Sequence, residues 1–391
     1  MLKETNILFA THTFIPLFLN VLKDFTSPKC NIFTVISHPL IPVGGTQSKF
    51  SVYKKNKLKT YSTFYRMPGP YSLNFFKDFF LTIFWGLKSG FVYDIGIGVN
   101  NLNTLSLLVL KKLGRVKKVI FINIDYTPSR YDNPILNALY QWFDKVCCYW
   151  ADVLWNGTSR TNQARAKNGV DMKRIAHTVI MPDGSYFDHI KRLPIDKIDR
   201  KKLIFLGNMR PVMGVELILE SFKEVIKEIP DAKLVLIGGG LKLEEYKKLA
   251  SRLKLEKYVS FTGFIKKHED VDDLLCTGAI GLAPFAPDKT SYEFYSDVGK
   301  PKVYLAAGMP IIITRVPEIA EEIEKKRAGI AINYSKKELV YAIMKLLNND
   351  KLYKEYRKNA INLSKKYIWD NIFRDTFKKT LDFLKKNNES F

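Results

Sequence analysis

Short apolar runs, each ending in a polar loop, recur along the chain and alternate with stretches of helical periodicity. "NILFA" is the first, followed by the polar Thr11-His12-Thr13. "NIFTVIS", "YDIGIGV", "KVIFINI" and "DVLWNGTS" repeat the form, with helical stretches at Thr104–Leu113 and Pro134–Trp150. A run that is apolar at every position suits a strand buried on both faces of a parallel sheet. Strands alternating with helices imply βαβ units and an open parallel sheet.

A second series opens at "KKLIFLGN" and continues through "GVELILESFKEVIKEIP", "AKLVLIGGG", "EEYKKLASRLKL", "VSFTGFI", "IGLAPF" and "PIIIT". Between the two lies "GSYFDHIKRLPIDKIDRK", which is charged, broken by proline and read as a linker. The expected fold is α/β, with two Rossmann-like, doubly wound parallel-sheet domains and a cleft between them. The expected divisions are 1–195, 196–366 and a terminal helix over 367–391, where Ile368, Ile372, Phe377, Leu381 and Phe383 fall near helical spacing. A chain of 391 residues is too long for one ordinary core, which agrees with two domains. Ligands of such domains bind at the carboxyl ends of the strands.

Charge narrows the classes of partner. Lys and Arg number 62 against 39 Asp and Glu, a formal +23 spread over both halves. Such a balance favours an anionic partner: nucleic acid, an acidic membrane surface or a phosphorylated small molecule. No zinc, helix-turn-helix or RNP-like pattern is present, so nucleic acid is not the expected partner. Cys30, Cys147, Cys148 and Cys276 form no CxxC pair and suggest a reducing compartment. No signal peptide, transmembrane helix or metal site is expected.

The polar residues at strand ends carry the candidate chemistry. In "FLGNMRPVMGVELILESF", Gly207 follows a buried strand and a helix begins near Val212–Gly214. Such a junction presents free N–H groups and the positive end of a helix dipole to a phosphate. Arg210 stands in it, with a guanidinium suited to diphosphate oxygens. Gly238–Gly240 permit close backbone approach. "FTGFI", with Phe264 and Ile265, offers backbone groups to a base edge. Asp270-Val271-Asp272 spells DxD, but its acids are read as capping a short helix, Val271–Cys276, and not as metal ligands. Lys300, at the start of the helix Val303–Ala307, completes a diphosphate clamp with Arg210.

Taken in order, Gly207, Arg210, Gly214, Gly238–Gly240, Phe261 with Gly263, Pro284, Lys300, Tyr304 through Gly308 and Pro310 resemble the C-terminal domain of GT-B glycosyltransferases. The branch they resemble is the large group-1, family 4-like one. The resemblance is good over roughly 200–391; over 1–195 only the strand–helix rhythm and "DYTP" are similar. It implies a donor site built from Gly207, Asn208, Arg210, Gly239, Phe264 and Ile265, with Glu293, Ser296, Asp297, Lys300 and Tyr304 opposite. Three positions depart from the family pattern. Met213 replaces the glycine-loop lysine, Val303 the carboxylate that holds the donor ribose, and Tyr295 its partner glutamate eight positions earlier; Glu293 or Asp297 is the expected substitute.

The implied function is sugar transfer from a UDP- or GDP-linked donor to a glycan or lipid-linked acceptor, with no metal and no cofactor. An inverting reaction needs a base, for which Asp125, ending "KVIFINID", and His12 are the candidates. Retention by front-side attack needs none. The helix "YSLNFFKDFFLTIFWGLK" reads either as an interfacial amphipathic helix or as a core helix. The first reading gives a cytoplasmic protein attached peripherally to an anionic membrane on its cytoplasmic face. The rival classes are a nucleotide-sugar epimerase on the same scaffold and a non-catalytic nucleotide or nucleic-acid binder.

Overall fold

The apolar runs fold as the strands of two separate sheets. The computed structural model describes residues 2–13, 17–40, 47–67, 71–124, 126–185, 187, 190–289 and 291–387. The chain divides into unit 1, Met1–Met181 with Phe373–Phe391, and unit 2, Pro182–Ile372.

Unit 1 opens with β1 (Asn6–Thr13), α1 (Leu17–Thr26) and β2 (Ile32–Pro39). A hairpin follows, β3 (Gln47–Lys54) and β4 (Lys57–Tyr65), and then α2 (Tyr71–Lys88). After it come β5 (Tyr93–Val99), α3 (Asn100–Lys112), β6 (Val116–Asn123) and α4 (Pro134–Trp150). The series ends with β7 (Val153–Asn156), α5 (Arg160–Lys167) and β8 (His177–Ile180). The sheet order is β4-β3-β2-β1-β5-β6-β7-β8. It is parallel from β2 to β8, whereas β3 and β4 pair antiparallel at one edge. Sequence reading gave no place to this hairpin. Its two-residue turn is Lys55-Asn56, both at positive φ, the geometry that matches the twist of tight hairpins.

Unit 2 carries β9 (Asp199–Leu206), α6 (Val215–Glu228), β10 (Lys233–Ile237), α7 (Leu243–Arg252) and β11 (Val259–Gly263). It continues through α8 (His268–Cys276), β12 (Gly278–Ala283), α9 (Tyr292–Tyr295) and α10 (Lys300–Ala307). Then come β13 (Ile311–Thr314), α11 (Ile319–Lys325), β14 (Gly329–Ile332), α12 (Lys336–Leu347) and α13 (Asp350–Ser364). The order β11-β10-β9-β12-β13-β14 is wholly parallel and reverses between β9 and β12. That reversal opens a crevice beyond the carboxyl ends of those two strands. Ile311, Ile312 and Ile313 of β13 are completely buried, as a central strand covered on both faces requires.

The division falls at Met181/Pro182, earlier than the expected 195/196. The stretch read as a linker is held on unit 2. Arg192 Nε donates to the Ala306 carbonyl at 2.6 Å, and Arg357 Nη2 donates to that of Leu193 at 2.9 Å. Its prolines and charges signalled irregular backbone, which is not the same as solvated backbone. The last helix, α14 (Trp369–Lys386), joins unit 1 from Phe373 onward. There Phe377 meets Trp155 edge-on at 5.0 Å, and Trp155 Nε1 donates to Thr380 Oγ1 at 2.8 Å.

Candidate functional site

The site in unit 2 begins where β9 ends. Gly207 N–H donates to the Ile237 carbonyl at 2.9 Å and Met209 N–H to that of Gly239 at 2.8 Å. The loops after β9 and β10 are therefore laced together. Gly238, at φ +130°, is required here, because a Cβ would lie 2.0 Å from the Gly207 oxygen. Gly214 starts α6 under a similar constraint: its φ is +70°, and a Cβ would meet the Pro284 oxygen at 1.9 Å. The N-terminus of α6 is thereby brought against the end of β12. Met213 is buried, with its methyl under the Gly207 loop, so the position given to a lysine by the family pattern fills the core instead.

Three charged groups converge at this crevice. The Arg210 guanidinium pairs with the Glu293 carboxylate and lies 5.3 Å from the Tyr292 ring. Glu293 is only 1% exposed, and its second oxygen accepts from the Ser291 hydroxyl, which also caps α9. The Arg210 side chain remains 36% exposed, with its Nε buried and unpartnered. Lys300, the first residue of α10, makes no hydrogen bond or ion pair among the described residues. Burial pushes its ammonium below the usual lysine range, Glu293 works against that shift, and Arg210 adds to it. Two cations against one carboxylate leave one positive charge unbalanced in a partly desolvated pocket, which favours an anion.

Around this core, Asn208 is exposed on the β9 loop. Phe264 is 78% exposed, its Cβ 3.6 Å from where a Cβ on Gly239 would stand, and Ile265 is half-buried beside it. Ser296 is buried, with its Oγ unpartnered and its N–H on the Tyr292 carbonyl. Gly207, Asn208, Arg210, Gly239, Phe264, Glu293 and Lys300 thus fall at one end of the sheet.

Two expected donor-site residues are used elsewhere. Tyr304 is completely buried; its hydroxyl accepts from Leu206 N–H at 2.5 Å and donates to the Leu282 carbonyl at 3.2 Å. It ties β9 to β12 and offers nothing to a ligand. Asp297 pairs with the fully buried Lys302 and accepts from the Asp183 N–H, so its carboxylate braces the loop. Sequence reading missed Ser291 and Tyr292, which hold Glu293 and flank Arg210. A serine before a four-residue helix with glutamate in its first turn was the available signal. Asp270 and Asp272 lie inside α8, and no cluster of three or more metal-ligating side chains exists among the described residues.

In unit 1, Asp125 lies outside the described residues. His12 ends β1 but is not free to act as a base. Asn103 Nδ2 donates to the Val99 carbonyl at 2.7 Å, which fixes its amide orientation and makes it donate to His12 Nδ1 at 2.9 Å. The proton is then on Nε2, facing Asp78 Oδ2 at 3.2 Å. Both ring nitrogens are engaged in a nearly closed cluster, and the expected catalytic role for His12 is withdrawn on that ground. The same cluster holds Lys77 Nζ at 2.8 Å from Asp78 Oδ1 and His38 Nε2 at 2.8 Å from Thr82 Oγ1. Burial pushes His38 down to about 4, against the opposing pull of the Asp78 carboxylate, which accepts from its ring. Burial alone would raise Asp78, but His12 and His38 hold it well below the usual carboxylate range.

Comparisons with known proteins bear on the family and the fold. Residues 200–349 match the family model described as glycosyl transferases group 1. N-acetyl-alpha-D-glucosaminyl L-malate synthase of Bacillus anthracis is 27% identical over 188 residues, 45% of this chain and 46% of that protein. Alpha-monoglucosyldiacylglycerol synthase of Streptococcus pneumoniae is 27% identical over 191 residues, 46% of this chain and 41% of its own. The chain thus spans less than half the length of these curated relatives. HepE of Anabaena, solved with UDP, has a TM-score of 0.70 at 13% identity, covering 96% of this chain and 99% of that one. At that identity the likeness shows the fold, that of the GT-B enzymes, and the match to the group-1 glycosyl transferases is carried by residues 200–349, the greater part of unit 2.

Proposed function

We propose that the protein is a glycosyltransferase that uses a UDP- or GDP-linked sugar and a glycan or lipid-linked acceptor, without a metal. The observation that carries this reading is the convergence of Arg210 and Lys300, with spare donors, at the glycine-laced end of β9. Transfer breaks the bond between the anomeric carbon and a diphosphate oxygen, and joins that carbon to the acceptor oxygen. Negative charge grows on the departing diphosphate, where fixed cations are most effective. Exposed Phe264 beside Gly239 supplies a face for the base. The acceptor hydroxyl's proton passes either to Asp125, with inversion, or to the diphosphate itself, with retention.

In this reading the acceptor lies at an anionic membrane, on its cytoplasmic face. In support, the relative from Streptococcus pneumoniae is named for a glycolipid product, and α2 carries an exposed aromatic stripe. The test is thermal shift with UDP, GDP, ADP and their sugars, followed by product analysis. A melting rise with UDP or GDP that is lost on Arg210→Ala and on Lys300→Ala is expected. No rise with any nucleotide overturns the reading. The anomeric configuration of the product separates the two proton routes, and a sugar isomer formed without acceptor would indicate an epimerase.

A further inference from the structure

The two faces of the unit 1 sheet are finished differently. One is closed by α1 and α14, where Phe25 stacks on Phe377 and meets Phe373. On the other, α2 packs beside α3 and α3 beside α4, and nothing covers them among the described residues.

The outward side of this layer is apolar. Along α2, Leu73, Phe76, Phe80, Phe84 and Leu87 are exposed at spacings of three or four, with Phe76 at 68% and Phe80 at 61%. Asn74, Asp78, Thr82 and Trp85 form the buried stripe opposite. The helix is amphipathic, therefore, with aromatics pointing to solvent and polar groups pointing in. Helix α4 repeats the inversion: Ile135, Leu139, Trp142 and Trp150 are exposed, while Asp144 is completely buried against Arg165. Val109 and Leu113 continue the surface across α3. A patch of this extent on one face marks an interaction surface.

Charge selects the occupant. Asp78 and Asp144 are the only acidic residues in the three helices, and both are buried. Lys88, whose Nζ lies 5.6 Å from the Phe84 ring, and Lys112 are exposed there. Exposed aromatics with lysines and without acids suit the interface of an anionic bilayer, where rings sit at headgroup depth and ammonium groups meet phosphates. No helix among the described residues is long and apolar enough to cross a membrane.

We infer that the α2–α3–α4 face of unit 1 is a docking surface for an anionic phospholipid bilayer, with two helices inserting aromatics and not α2 alone. The inference deepens the membrane part of the proposed function and stands apart from its sugar-transfer part. It is tested by co-sedimentation of the full chain with vesicles of phosphatidylcholine, with and without phosphatidylglycerol, at low and high salt. Binding only to the phosphatidylglycerol vesicles is expected, weakened by salt. It should fall at least about ten-fold in a Phe76→Ser, Phe80→Ser, Phe84→Ser variant and separately in an Ile135→Ser, Trp142→Ser variant. Lys88→Ala and Lys112→Ala should each cost about five-fold. Binding unchanged in the α4 variant, or indifferent to phosphatidylglycerol, overturns the inference. So does a dimer in sedimentation velocity that both variants dissolve, since the face would then bind a second copy. Nucleotide thermal shifts in the same variants report on the donor site separately. Loss of those shifts in the unmodified chain would end the sugar-transfer reading while vesicle binding stood.

Discussion

Each unit has a cluster of charged side chains at the carboxyl ends of strands beside a reversal of strand order, and the two clusters are built to opposite rules. In unit 1, β1 and β5 deliver His12 and Asn103 to a network with Asp78, His38, Lys77 and Thr82 in which donors meet acceptors. In unit 2, β9 and β12 deliver Arg210 and the loop of Glu293 to a group that leaves an Arg210 Nε and the Lys300 ammonium unmatched. A buried polar network that is fully satisfied gives rigidity; one with unspent donors in a crevice is completed by a ligand. The same fold position thus holds a strut in one unit and a candidate binding site in the other.

The sharpest way to break the comparison is Asp78→Ala. It leaves Lys77 buried without its carboxylate and removes the partner of His12 and His38. Destabilisation of about 3–5 kcal/mol is expected, seen in the calorimetric transition of unit 1. A variant as stable as the parent would show that the cluster is no strut. Next come Arg210→Ala and Lys300→Ala, each expected to weaken nucleotide diphosphate binding roughly ten- to hundred-fold. Without ligand Lys300→Ala should melt near the parent, whereas Arg210→Ala also strands the buried Glu293 carboxylate and should melt lower; calorimetric titration at a temperature where both are folded reads the binding difference.

Acid should separate the units as well. Because the folded-state His38 is pushed down to about 4, the unfolded chain binds a proton between pH 6.5 and 4 that the native state does not. Stability therefore falls as pH drops through that window, on the order of 3 kcal/mol. Asp78, held below the usual range, extends the loss at still lower pH. Lys300 works at the other end: its lowered value means that anion affinity declines on alkaline titration before an ordinary lysine would lose its proton. Pre-melting curves at pH 4.5 and 7 check the first claim, and nucleotide titrations from pH 7 to 10 check the second. The smallest effect belongs to Tyr304→Phe. It strands the half-buried Leu206 N–H and costs about 1–3 kcal/mol, with nucleotide affinity unchanged. A large loss of affinity would return Tyr304 to the donor site.

Unit 2 was the more legible half in the sequence. Its strands are covered on both faces, so each reads as an unbroken apolar run, and its glycines mark the loops between them. Unit 1 hid more. The β3–β4 hairpin alternates polar and apolar residues at a sheet edge, and α2 has the composition of a core helix although its aromatic stripe faces outward. Lys300 and Lys302 show the limit at single-residue scale. Two positions apart on a helix they must point in nearly opposite directions, which sequence implies. Which of them enters the crevice and which pairs with Asp297 follows only from how α10 lies on β12.

The two-sheet α/β architecture, the strand-end loop carrying Gly207 and Arg210, and the excess of positive charge could all be read from the order of residues, because they depend on local periodicity and on totals. The tertiary structure decided what each polar group does. Whether His12, Asp297 or Tyr304 is spent or available depends on partners 5 to 114 residues away in the chain, and those partners are brought within bonding distance only by packing.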